Sequence, residues 1–228
     1  MQGINLIGRR AFLVGGGAAL LGGCTVAQAP APQVAATSRV PPLYREMYGA
    51  RPGERFAIPA VDLSKVDPRF WRREVADPTG ERGGTVVVDT GSYFLYWTME
   101  GGRAMRYGVG LGREGFGWNG TATIERKAQW PTWTPPAEMI AREPELEEYR
   151  NGMPPGLGNP LGARALYLYQ NGRDTLYRLH GTQEAYSIGR AVSSGCVRLL
   201  NQDIIDLHMR VPTGSRVVVR PPSQSLLG

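Results

Sequence analysis

From Gly84 to Arg220 the chain is cut into short β-branched and aromatic runs by turn residues, and this punctuation most limits what it can fold into. Thr85-Val86-Val87-Val88-Asp89 is a β-branched run. A Thr90-Gly91 turn follows, and then the aromatic-rich stretch Ser92–Trp97, so the two runs predict a hairpin. Further runs at Arg103–Val109, Thr121–Ala128, Ala165–Tyr169 and Thr175–His180 repeat the pattern, and Arg216–Arg220 closes it. With 31 glycines and 18 prolines in 228 residues, turns and short strands are favoured over long helices. The expected fold class is mainly β, a sandwich or flattened barrel. One clear helix is expected, Gln202–Arg210, with Asn201 as its cap, acids early and Arg210 late.

The segment 129–162 breaks the strand rhythm. It holds Trp130-Pro131-Thr132-Trp133-Thr134-Pro135-Pro136, a helical stretch at Ala137–Arg150, and Asn151-Gly152-Met153-Pro154-Pro155-Gly156. An insertion this long in a compact domain is functional or structureless. Two tryptophans on a proline-rich spine suggest a lid or substrate wall; local packing of the same tryptophans is the alternative.

The N-terminal residues read as an address. Arg9-Arg10 precede an apolar stretch of 13 residues, Ala11–Gly23. That is short of the roughly 20 residues a spanning helix needs and suits a signal peptide over residues 1–29. The double arginine is similar to a twin-arginine signal. Leu21-Gly22-Gly23-Cys24 resembles a lipobox that would lipidate Cys24, while Ala27-Gln28-Ala29 offers ordinary cleavage. An uncleaved N-terminal anchor is a third possibility. The expected location is therefore outside the cytoplasm, in a periplasm, either free or lipid-anchored; membrane contact is expected only through this segment. Residues 30–42 are an Ala/Pro-rich linker. Residues 43–83, with turn signals and Phe70 and Trp71 as anchors, form an extended lead-in. The main domain spans 84–221, and 222–228 form a tail.

Charge and cysteine content narrow the function. A formal charge of +6 without a Lys/Arg run interleaved with aromatics excludes nucleic acid as a serious partner. Two cysteines and two histidines are too few for a structural zinc site, so no metal is expected. Covalent acyl transfer needs a nucleophile, a base and oxyanion donors. His180 closes the apolar run Thr175–Leu179 and is followed by Gly181-Thr182, which suggests an imidazole at a sheet edge. His208 lies inside the predicted helix and reads as a packing residue. Sixteen positions after His180 comes Cys196, within Ser193-Ser194-Gly195-Cys196-Val197-Arg198. Gly195 permits a tight nucleophile turn, and Arg198 is placed to lower the thiol pKa or hold a carboxylate.

His180-Gly181-Thr182 followed by Ser-x-Gly-Cys-x-Arg resembles the signature of the L,D-transpeptidases of the YkuD type. Asn159–Leu168, Ser187-Ile188-Gly189 and the Trp130–Pro136 segment resemble flanks common in that family. The resemblance implies an L,D-transpeptidase-like β-sandwich, with Cys196 as nucleophile and His180 as general base. It implies that the Gly181 carbonyl orients the imidazole and that backbone N–H groups at Gly195 and Cys196 form the oxyanion hole. Arg198, Ser193, Ser194, Thr182, Trp130 and Trp133 would contact substrate. Ser194 stands where many relatives have histidine, which leaves that position's role open.

The implied reaction is attack on the L-centre carbonyl of diaminopimelate in a peptidoglycan tetrapeptide stem, with release of D-Ala and no cofactor. The acceptor would be a stem amine, water or a lipoprotein lysine. Papain-like and NlpC/P60 hydrolases place Cys before His, and sortases separate the pair more widely. A non-catalytic wall-binding lipoprotein with the same fold is the remaining alternative.

Overall fold

The computed structural model describes residues 40–112, 118–193 and 196–226. Eleven strands occur along these residues. They are β1 (Arg73–Ala76), β2 (Thr85–Asp89), β3 (Phe94–Met99), β4 (Arg103–Gly108), β5 (Gly110–Gly112), β6 (Gly120–Gln129), β7 (Arg164–Gln170), β8 (Arg173–Thr182), β9 (Ala191–Ser193), β10 (Val197–Leu200) and β11 (Arg216–Arg220). The α-helices are α1 (Pro42–Met47), α2 (Ala137–Arg142) and α3 (Asn201–Arg210). The protein is mainly β with few helices, as the strand rhythm predicts, and none of these helices is long and apolar enough to cross a membrane.

All eleven strands hydrogen-bond in one series, β1-β4-β3-β2-β11-β6-β7-β8-β10-β5-β9. The sheet folds over on itself. Val86, Val88 and Leu95 near one end share a core with Leu166, Leu179, Val197 and Leu199 near the other, and with Ile204 and Leu207 of α3. Burial of these side chains is the main stabilising term, at about 25 cal/mol per Å² of apolar surface removed from water. The predicted hairpin is β2–β3, with Val86 opposite Trp97 and Asp89 opposite Phe94.

The unbroken Val86-Val87-Val88 run has a cause in the packing. Val86 and Val88 face the central core, whereas Val87 faces a second cluster with Tyr48, Leu63, Val66, Phe70 and Trp71. A strand covered on both faces has no polar side to alternate with. The lead-in supplies that cover and also strand β1, which pairs with β4. Phe70 sits directly against Gly108 and Gly189, where a Cβ would collide with it.

Arg72 is buried between the lead-in and α3. Its guanidinium lies 3.2 Å from Asp206 and 3.7 Å from Asp203. The Tyr48 hydroxyl donates to Asp203 at 3.1 Å and Tyr107 donates to Asp206 at 2.6 Å. A buried charge demands such pairing, since a lone one would cost several kcal/mol. Lys127 donates to the carbonyls of His208 and Val211, both at 2.7 Å, so it closes the C-terminal end of α3.

Three expectations need correction. β8 continues through His180 to Thr182 with β7 on one side and β10 on the other, so His180 is not at a sheet edge. Asn201 is the first residue of α3 rather than its cap. Its side-chain oxygen accepts from the Ala163 N–H at 2.9 Å, a long-range bond that sequence spacing does not reveal. The expected helical stretch 137–150 divides into α2 and a 3-10 turn at Pro144–Tyr149, because Pro144 lacks the N–H that would continue α2.

Candidate active site

His180 and Cys196 line one open cavity of about 1280 Å³, with Arg198 and Thr182 beside them. Parallel pairing of β8 and β10 brings them together. Val197 is opposite Leu179 and Arg198 opposite His180, so Cys196 enters the sheet beside Arg178. The Gly112 N–H donates to the Cys196 carbonyl at 3.2 Å, and the backbone N–H of Arg178 faces its sulfur. The thiol is half-buried and the imidazole buried.

The His180 ring has a defined orientation. Its Nδ1 lies 2.9 Å from the Gly181 carbonyl oxygen. That oxygen only accepts, so Nδ1 carries the proton and Nε2 keeps its lone pair. The Gly181 backbone is fixed in turn, because its N–H donates to the Leu161 carbonyl at 3.0 Å. No side chain fits on Gly181: a Cβ there would meet the Asn201 oxygen, Ile204 and the Ala163 nitrogen. Gly162, at φ +61°, is crowded by the same Asn201 oxygen and by Gly181. The glycine after His180 therefore answers a packing demand from α3.

The site holds neutral partners at rest. Burial pushes the His180 imidazole down to about 4, and the Gly181 bond only partly offsets this. Burial raises the Cys196 thiol, outweighing the Arg178 N–H and the positive charges of Arg178 and Arg198. The Arg198 charge lowers the thiol pKa, but by less than burial raises it. The Arg198 guanidinium is ion-paired with Glu184, whose backbone N–H also donates to Thr182 Oγ1 at 3.1 Å.

The segment 129–162 forms one wall of the cavity. Trp133 and Met153 exchange backbone hydrogen bonds at 3.1 and 2.6 Å, and the Asn159 side chain donates to the Pro131, Met153 and Pro154 carbonyls. Trp133 lines the cavity. Trp130, expected beside it at the substrate, does not line the cavity. It is buried in a small cluster with Ile58 and Ala163, its ring meets Phe56 edge-on, and its Nε1 donates to Glu54 at 2.9 Å. Glu54 is also held by a two-pronged contact from Arg164. An acid and an aromatic from the lead-in claim Trp130 for packing.

Ser194, Gly195 and Cys24 lie outside the described residues, and β9 ends at Ser193. Among the described residues no three His, Cys, Asp or Glu side chains gather as metal ligands. Sequence reading missed Glu184, Arg178, Tyr167 and Arg126, all of which line the cavity. Arg178 was accessible in principle, since it lies two residues before His180 on one strand and shares its face. Tyr167 and Arg126 needed the registers of β6, β7 and β8.

The sequence profile of the L,D-transpeptidase catalytic domain family matches residues 83–219, more than half of the chain. The chain belongs to this family. The Escherichia coli protein named probable L,D-transpeptidase YbiS is 39% identical over 142 residues, 58% of this chain and 43% of that protein. The E. coli protein named probable L,D-transpeptidase ErfK/SrfK is 33% identical over 179 residues, 76% of this chain and 54% of that protein. The matched regions thus span about half the length of these curated relatives. A solved Brucella melitensis structure, described as a probable carnitine operon oxidoreductase, is 43% identical. It aligns with 70% of this chain and 99% of its own at a TM-score of 0.49, a level of structural likeness that carries no argument here.

Proposed function

We propose that this protein is a peptidoglycan L,D-transpeptidase in which Cys196 is the nucleophile and His180 the general base. The observation that carries the reading is the 2.9 Å contact between His180 Nδ1 and the Gly181 carbonyl oxygen. With Nδ1–H given to Gly181, the Nε2 lone pair is left for the thiol in the cavity both residues line. The backbone carbonyl does here what a carboxylate does in other cysteine and serine enzymes, which is to fix the ring and its tautomer.

In the proposed reaction Sγ attacks the L-centre carbonyl of diaminopimelate in a tetrapeptide stem as Nε2 takes the thiol proton. Backbone N–H groups at Gly195 and Cys196 receive the oxyanion. The imidazolium returns the proton to the departing amine, and D-Ala leaves with a thioester in place on Cys196. An acceptor amine then attacks the thioester and regenerates the thiol. The energy of the broken amide is carried in the thioester, so the reaction runs outside the cytoplasm without ATP. Export through residues 1–29, to a periplasmic or lipid-anchored location, suits such a substrate. Arg198 and Thr182 flank the reacting pair and support substrate placement, and Trp133 contributes to the wall.

The test is mass spectrometry of muropeptides after incubation of residues 30–228 with diaminopimelate-containing tetrapeptides, beside Cys196→Ala. Loss of D-Ala with the wild type alone supports the acylation step. Dimers then identify a transpeptidase, and tripeptides alone a carboxypeptidase. Intact stems with folded wild-type protein would sink the proposal.

A further inference from the structure

Among the described residues three arginines line the cavity, and only one of these lacks an acidic partner there. Arg198 is ion-paired with Glu184. Arg178 makes two hydrogen bonds to Asp174, at 2.6 and 2.8 Å. Arg126 has no such pairing. Its guanidinium rests instead 4.3 Å from the centre of the Tyr167 ring, which Arg178 also meets at 4.4 Å.

The sheet register arranges these residues in one line toward the sulfur. Arg126 is opposite Tyr167 across β6–β7, and Tyr167 is opposite Arg178 across β7–β8. Arg178 lies beside Cys196, one position ahead of the Leu179–Val197 pair. Neighbouring strands lie about 4.8 Å apart, which puts the Tyr167 backbone roughly 10 Å from that of Cys196 and Arg126 one strand further. The Arg126 side chain crosses to the Tyr167 ring, one strand nearer the sulfur. An aromatic face holds a guanidinium flat while leaving its N–H edges free to grip a carboxylate with two hydrogen bonds.

The part of the lining that comes from the 129–162 segment has the opposite charge. Glu138 and Glu143 line the cavity from the 129–162 segment, without cationic partners among the described residues. A carboxylate entering the cavity is therefore repelled from that part of the lining and drawn to the Arg126 side.

We propose that Arg126, mounted on Tyr167, binds a free carboxylate of a stem peptide that is not the D-Ala carboxylate being expelled. The carboxylate at the D-centre of diaminopimelate has this chemistry, whether on the donor or on the acceptor stem. This assignment rests on the transpeptidase reading above and names a specificity element within it.

The experiment compares wild type, Arg126→Gln and Arg126→Lys on a diaminopimelate tetrapeptide and on the same peptide with its side-chain carboxylate amidated. D-Ala release reports the donor step, and dimer formation with an amidated or unamidated acceptor reports the second. Wild type should lose about tenfold in kcat/KM on amidation, carried by KM, because a hydrogen-bonded charge pair is removed. Arg126→Gln should lose about as much on the free acid and then no longer distinguish acid from amide. Arg126→Lys should recover part of the discrimination. Arg126 is exposed, so melting temperatures should match. If the effect arises only with the amidated acceptor, the carboxylate held is the acceptor's. If Arg126→Gln discriminates as well as wild type at both steps, the subsite is wrong while the enzyme reading stands. Wild-type protein inactive on every stem would overturn both.

Discussion

Asn201 fills the space that a side chain on Gly181 would need, and its oxygen accepts the Ala163 N–H at 2.9 Å. One residue of α3 thereby holds the strand backbone whose carbonyl fixes the His180 ring. The glycine beside the proposed base is a contact residue between helix and strand.

Gly181→Ala should consequently destabilise the protein by a few kcal/mol, since the clash lies in rigid, buried surroundings. Asn201→Gly should cost about 1–3 kcal/mol alone by leaving the Ala163 N–H without its acceptor. Combined, the two changes should cost less than their sum, because the second makes room for the first. Denaturant unfolding of the four proteins gives the coupling energy; strict additivity would contradict the packing described.

The pH dependence of acylation should carry the mark of a buried base. Burial pushes the His180 imidazole down from 6.5 to about 4. As a general base it must be neutral, so kcat/KM should rise through an acid limb near pH 4 and stay flat toward neutrality. The same depression has a stability consequence. Between about pH 4 and 6.5 the unfolded chain binds a proton that the folded imidazole refuses, so this residue makes stability fall as pH falls through that window. Steady-state rates with a tetrapeptide, measured from pH 3.5 to 8, check the first statement. An acid limb near 6.5 would mean that the imidazole is better solvated than its burial indicates.

Asp203 should act in the opposite direction. Burial lifts its carboxyl to about 7 despite the Arg72 charge and the Tyr48 hydrogen bond. A raised folded pKa means that the folded state keeps a proton the unfolded state has lost. Its contribution is present below about pH 4 and is lost as pH rises toward 7. Relative to Asp203→Asn, the wild type should lose stability from pH 4 to 7 and level off above. Thermal melts of both proteins over that range decide it.

Trp130 and Trp133 look alike in sequence and should behave differently. Trp130→Phe should cost about 1 kcal/mol by removing the bond to Glu54, with KM unchanged. Trp133→Ala should raise KM by about tenfold through lost apolar contact with substrate. Equal KM effects would mean that the small cluster around Trp130 opens during catalysis.

The lead-in should be needed for folding. Phe70 packs on Gly108 and Gly189, Arg72 neutralises acids of α3, and β1 extends the sheet. Phe70→Ala should cost about 3–5 kcal/mol. A fragment beginning at residue 83, where the family profile match begins, should unfold without cooperativity in circular dichroism melts.

Much of this protein is local, and therefore legible in the chain itself. The β2–β3 hairpin, strand β11 and the body of α3 follow from β-branched runs, turn residues and helix-type charge placement over a few residues each. His180 and Cys196 were singled out because the short stretch that holds both resembles the family signature. What the sequence could not supply came from contacts between distant segments. The parallel β8–β10 register places Cys196 beside Arg178, and the β6–β7–β8 registers place Arg126 on Tyr167. Asn201 serves Ala163 instead of its own helix, and Trp130 goes to Glu54 while Trp133 goes to the cavity. Local propensity is summed over neighbours in the chain, whereas register and side-chain partnership depend on which distant surfaces are buried together. Those surfaces exist only once the sheet has folded over its core.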